Sequence, residues 1–203
     1  MRQLYLNYSR AKNIIRQGFN QKPWYLIFAI TGRCNQRCKM CYYWQRIENS
    51  NSANELTLDE IRLIASQFDN LFQLTISGGE PLLRENCLEI AQTFAGETPV
   101  QRITLTSNGS MPVRVEKFVQ LFCASNPHVT LSVNLSIDGL KETHDKIRGF
   151  PGAFDKFLET FDLLGKLKSK YKNLERATAT TVSTANQDEI INLLDFIEKR
   201  LDI

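Results

Sequence analysis

Much is scarce in this chain. Its 203 residues hold five cysteines, two histidines and two tryptophans, and the formal net charge is only +3. So slight an excess of positive charge argues against a nucleic-acid partner. The apolar run at residues 24–30 is far shorter than the roughly 20 residues a helix needs to cross a bilayer. Residues 1–10 are polar and lack the order of a secretory signal, so nothing points to an oxidising compartment. The expectation is a cytoplasmic protein with reduced thiols, no membrane contact and no disulfide framework. Low-complexity tracts and internal linkers are also lacking, and the length fits one domain with ample core. The basic run Lys166, Lys168, Lys170 and Lys172 reads as the end of a helix, where cations complement the dipole.

Against that background residues 31–44, TGRCNQRCKMCYYW, stand out. They set Cys34, Cys38 and Cys41 in a C-x3-C-x2-C array just after the apolar run. Three thiols so close suit an iron–sulfur cluster, whose irons take soft thiolate ligands. A cubane has four iron corners, and with three local thiolates one corner stays open for chemistry. Three plainer readings compete. The spacing also fits one face of a helix, although Gly32 and Asn35 favour a loop. Structural zinc takes four ligands, usually in two separated pairs, and no second pair is present. A disulfide would strand one thiol. The other two cysteines, Cys87 and Cys123, sit among apolar helix positions and read as core.

Residues 1–23 read as a lead-in containing a short amphipathic helix at residues 9–19 with Ile14, Ile15 and Phe19. Residues 24–203 form the core. Residues 24–30 are a first strand, apolar throughout and so expected to be covered on both faces. Thr57 and Glu60 form a capping box before Leu58, Ile61, Ile64 and Phe68. Residues 72–76 are a strand, followed by a helix bearing Leu88, Ile90, Ala91 and Phe94 that stops near Gly96. A third strand at 102–106 precedes the helical face of Val115, Phe118, Val119 and Phe122. Residues 129–137 are a fourth strand, and the stretch GLKETHDKIRGFPG reads as a long excursion before a helix with Phe154, Phe157, Phe161 and Leu164. A threonine-rich fifth strand at 177–182 precedes a last helix that Asn186 and Glu189 are expected to cap.

Five β-then-α units in succession predict an α/β fold with a parallel sheet and right-handed crossovers. Sites in such folds gather at the C-terminal ends of the strands. Those ends carry, in order, the cysteines, SGGEP, TSNG, SIDG and TVSTAN. Their convergence on one cysteine loop is stronger evidence than any single glycine-rich turn.

With C-x3-C-x2-C and GGEP as its most specific motifs, the chain from about residue 24 onward resembles the radical S-adenosylmethionine (SAM) superfamily. The segment SIDGLKETHDKIRGFPGAF resembles the subgroup of peptide and protein maturases and the first enzyme of molybdenum-cofactor synthesis. The resemblance implies a parallel (β/α) partial barrel, a [4Fe–4S] cluster on Cys34, Cys38 and Cys41, and SAM chelating the open iron. It implies reductive cleavage of SAM to a 5′-deoxyadenosyl radical that abstracts hydrogen from a peptide or small-molecule substrate. The electron would come from an external reductant of flavodoxin or ferredoxin type. Gly78, Gly79 and Glu80 match the motif that receives the methionine amino group. Thr106, Ser107 and Asn108 lie where the family contacts polar atoms of the cofactor, and Ser136 where it meets the ribose. Arg148 is the candidate partner of the SAM carboxylate, with a surface salt bridge as its plainer role. His144 and Asp145 would suggest a metal pair, but in so histidine-poor a chain a helix-surface role is expected.

Two departures follow. Met40 stands where the family usually has an aromatic residue beside the adenine, and a thioether can pack on that ring. The usual sixth strand has no counterpart before residue 203, so an open edge at 177–182 is expected to invite self-association. Two other readings stand beside the enzyme: an electron-transfer protein, and a cluster- or SAM-binding relic without turnover.

Overall fold

The computed structural model describes residues 23–201. The amphipathic lead-in expected at residues 9–19 lies outside them. Five strands form one parallel sheet in the order β1-β2-β3-β4-β5, namely Tyr25–Thr31, Gln73–Gly78, Arg102–Ser107, Thr130–Ser136 and Leu174–Ala179. Between and after them run α1 (Trp44–Glu48), α2 (Leu58–Ala65), α3 (Cys87–Glu97), α4 (Pro112–Ser125), α5 (Lys141–Arg148), α6 (Ala153–Lys170) and α7 (Ile190–Phe196). The architecture is the expected α/β unclosed partial barrel. Among the described residues no helix is long and apolar enough to cross a membrane.

One face of the sheet builds the core. Leu74 and Ile76, Ile103 and Leu105, and Leu131, Val133 and Leu135 are all fully buried against Phe94, Phe122, Phe157 and Phe161 from the helices. Removing that much apolar surface from water is the main stabilising term. Cys87 and Cys123 belong to the same core, and burial pushes both thiols up to about 12. The opposite face is polar. The pairing register sets Thr75 beside Thr104 and Ser132 in adjoining strands, with Ser77, Thr106, Asn134 and Ser136 further along the same face. Arg102 of β3 reaches across β4 to Glu175 of β5, at 2.5 Å.

Several local expectations need correction. β1 is not covered on both faces. It is an outer strand, and Ile27 is 63% exposed while Phe28 meets Phe94 with ring centres 5.9 Å apart. The capping box at Thr57 and Glu60 is present. α3 stops near Gly96 as expected, ending at Glu97, where Thr98 closes it through its hydroxyl on Phe94 O. The excursion after SIDG contains α5. β5 starts three residues before the predicted strand and ends at Ala179, so Thr180, Thr181 and Val182 form a loop. Asn186 does not cap the last helix. Its amide nitrogen donates to Asp138 O and Thr181 O at 2.8 and 2.9 Å, while Glu189 accepts from Leu140 N at 3.0 Å.

Candidate active site

The loop carrying the cysteines leaves β1 at Thr31 and is held on three sides. Toward β2, Gly79 N donates to Thr31 O and Glu80 N to Arg33 O, both at 2.8 Å. A Cβ on Gly79 would stand 2.2 Å from Arg33 O, and one on Gly78, at φ +130°, 2.2 Å from Thr31 O. The glycine pair therefore answers first to the close approach of two backbones. Toward β3, Asn108 Nδ2 donates to Asn35 Oδ1 and Asn35 Nδ2 to Ser110 Oγ, each at 2.8 Å. Toward α5, Arg37 N donates to Arg148 O at 3.0 Å and Lys39 N to Ile147 O at 2.9 Å. Carbonyls that a helix end leaves without partners are thus taken up by the cysteine loop, and Gly149 in the left-handed region turns the chain away.

Each thiol of the loop faces an N–H. Gln36 N donates to Cys34 Sγ at 3.5 Å, Tyr43 N to Cys41 Sγ at 3.3 Å, and Arg148 Nη1 to Cys38 Sγ at 3.7 Å. Burial raises the Cys34 and Cys38 thiols above the ordinary value; the Gln36 N–H pulls the first back and the Arg148 guanidinium the second. Donors aimed at sulfur favour thiolates, the form that ligates iron. All three thiols are free and half-buried. Among the described residues no three His, Cys, Asp or Glu side chains are placed to hold a single metal ion. A cubane asks instead for one thiolate at each of several separate irons, and this donor set fits it.

The cysteines open onto a cavity of about 280 Å³. Cys34, Cys38, Met40, Cys41, Gly78, Gly79, Thr106, Ser107, Asn108, Ser136 and Arg148 all line it. Of the twelve residues singled out from the sequence, only Glu80 does not. Its carboxylate is fully buried behind the wall, accepting from Ser107 Oγ at 3.0 Å, Leu82 N at 3.2 Å and Asn108 N at 2.7 Å. It ties the SGGEP turn to the TSNG turn. Burial raises this carboxyl to about 7, against the hydrogen bonds that would lower it.

Arg148 is not in a surface salt bridge. It is 8% exposed, and its Nη2 lies 2.6 Å from Oδ2 of the fully buried Asp138. Asp138 Oδ1 also accepts from Thr181 N at 2.9 Å, which fixes the loop after β5. His144 is fully buried, contrary to the helix-surface role expected of it. Its Nδ1 accepts from Asp138 N at 3.1 Å, and burial lowers the imidazole to about 3, so it is neutral. Asp145 accepts from Gly152 N and Phe154 N at 2.7 and 2.8 Å and starts α6, so the two make no metal pair. Six lining residues are not among the candidates selected from the sequence: Gln36, Tyr42, Ile47, Ser77, Asp138 and Thr181. Asp138 carried a signal, being the acid of SIDG at a strand end.

The profile of the radical SAM superfamily matches residues 28–197. The chain belongs to that superfamily. Radical SAM proteins use a [4Fe–4S] cluster and SAM, and the two curated relatives that follow are enzymes. A GTP 3′,8-cyclase from Pasteurella multocida is 34% identical over 150 residues, covering 68% of this chain and 43% of its own. An AdoMet-dependent heme synthase from Methanosarcina barkeri is 33% identical over 184 residues, covering 87% and 48%. The chain thus spans about half the length of the curated relatives it matches. Among solved radical SAM folds, anSMEcpe with bound AdoMet and a Cp18Cys peptide superposes with TM-score 0.61 at 20% identity, over 87% of this chain and 47% of that one. SuiB of Streptococcus suis bound to S-adenosylmethionine does so with TM-score 0.60 at 17% identity, over 94% and 42%.

Proposed function

We propose that residues 24–203 are a radical SAM catalytic core in which Cys34, Cys38 and Cys41 hold a [4Fe–4S] cluster whose fourth iron receives SAM. When bound, cluster and SAM supply reductive cleavage of the sulfur–C5′ bond, which yields a 5′-deoxyadenosyl radical able to take hydrogen from a substrate. The protein's part is to bind, orient and shelter. Backbone carbonyls of Gly78 and Gly79 suit the methionine ammonium, and Glu80 braces the Ser107 and Asn108 side of the pocket from behind. The Arg148 guanidinium suits the SAM carboxylate, with Asp138 holding it ready. Thr106, Ser107, Asn108 and Ser136 offer polar contacts for the nucleoside, and Met40 an apolar surface for the adenine.

The observation that carries this reading is the convergence of eleven sequence-selected residues on one cavity, three of them cysteines whose thiols each face an N–H. The substrate in this reading is a peptide or small molecule, and the half-buried hydroxyl and amide row on the inner sheet face supports a polar one. Delivery of the electron falls to a flavodoxin or ferredoxin, and the free thiols suit the cytoplasm. The test is anaerobic reconstitution, dithionite reduction and chromatography for 5′-deoxyadenosine. Product is expected from the reconstituted chain and not from a Cys34→Ala, Cys38→Ala, Cys41→Ala variant. Equal product from both would overturn the assignment.

A further inference from the structure

The buried amide of Gln36 has no task in the site as described. The side chain is 1% exposed, lies two residues from both Cys34 and Cys38, and lines the cavity. Its main chain is fully used: N donates to Cys34 Sγ, and O accepts from Arg37 Nη1 at 3.0 Å. Its side chain is not. Oε1 faces the Cys38 thiol at 4.0 Å, and Nε2 is buried without a hydrogen-bond partner. A buried N–H without an acceptor is costly and asks for one in the working state.

The chemistry of the loop says which acceptor. Once Cys38 ligates iron it has lost its S–H and can only accept. The amide oxygen then faces a sulfur with nothing to donate. In its present orientation the amide N–H has no acceptor. After a half-turn of the amide it points at Cys38 Sγ. In that flipped orientation the available acceptor is the sulfur of Cys38. The other donors at the thiols are backbone N–H groups or side chains with further partners: Arg148 is paired with Asp138, and Asn108 with Asn35.

We propose that Gln36 is a potential-setting residue, its amide N–H donating to a sulfur of the [4Fe–4S] cluster at the Cys38 side. This deepens the cluster assignment made above and rests on it. Reduction adds one electron and makes the cluster more negative. A hydrogen bond to sulfur stabilises that form, so the amide raises the reduction potential and eases electron uptake.

The experiment compares the anaerobically reconstituted chain with Gln36→Met and Gln36→Leu, iron counted first, by potentiometric titration of the reduced-cluster paramagnetic signal without SAM. Methionine keeps length and flexibility while removing the donor, so it guards against a packing defect in the leucine variant. Both variants should be about tenfold harder to reduce, which is about 59 mV more negative for one electron. Pulsed spectra in heavy water should lose one exchangeable-deuteron coupling. Unchanged potentials and couplings at full iron content would overturn the proposal while leaving the cluster assignment intact. Folded variants that lose their iron would also overturn it, making Gln36 a structural residue. An unmutated chain that takes up no iron would sink the cluster assignment itself.

Discussion

Replacing Gly79 by alanine tests whether the cysteine loop is positioned by its seam with the β2 turn. The added methyl would stand 2.2 Å from Arg33 O, 2.7 Å from Arg33 C and 2.8 Å from Gly32 O, all backbone atoms. No rotamer relieves that, so the loops must part. Parting breaks Gly79 N to Thr31 O and Glu80 N to Arg33 O. Each backbone bond contributes about 1 kcal/mol net, and leaving the Glu80 N–H buried without a partner adds about 2 kcal/mol. The loss is then about 4 kcal/mol, a large share of a typical domain's stability. With a urea slope of about 2 kcal/mol per molar the unfolding midpoint should fall by about 2 M. Gly96→Ala is the control. Nothing lies within 4 Å of its would-be Cβ, and near the end of a helix alanine should raise stability by up to about 1 kcal/mol. A Gly79→Ala protein within about 0.5 kcal/mol of the parent would refute the seam, since surface substitutions stay in that range.

Glu80 should give the cluster-free protein a pH signature. Its carboxyl is raised from 4.5 to about 7, so its contribution is fully present below about pH 4.5 and is lost as pH rises through 7. Compared with Glu80→Gln, the parent should lose about 3 kcal/mol between pH 4.5 and pH 8 in urea unfolding; a gain over that range would contradict the burial argument. Asp138→Asn leaves an acceptor for Thr181 N but removes the charge facing Arg148, and should cost about 3 kcal/mol in the same assay. A cost under about 0.5 kcal/mol would mean that the pair is effectively solvated.

Local chemistry was legible in the sequence, and partnerships between distant residues were less so. Thr57 and Glu60 announce a helix start within four residues, and the structure has it. The order of strands and the polar turns at their ends placed the site, because each strand delivers its last residues to the same rim. α5 was hidden, because KETHDKIR shows no apolar stripe; its buried side chains are His144, Ile147 and Arg148. Burying those polar groups depends on Asp138, whose N–H meets the imidazole and whose carboxylate meets the guanidinium. Thr180 to Val182 looked like strand through their β-branches, but Asn186 and Asp138 hold this stretch as a loop. Gln36 gave no local sign, since its amide gains meaning only from the thiols on either side.

The central claim is that the loop of Cys34, Cys38 and Cys41 holds a cluster with one iron open to SAM. The most direct measurement is the electron paramagnetic resonance spectrum of the anaerobically reconstituted, dithionite-reduced chain, recorded with and without SAM at about four irons per chain. The account predicts a signal that changes shape on adding SAM, survives in Cys87→Ala and Cys123→Ala, and is absent when any loop cysteine is replaced by alanine. A signal identical with and without SAM, or one that persists without Cys38, would contradict it.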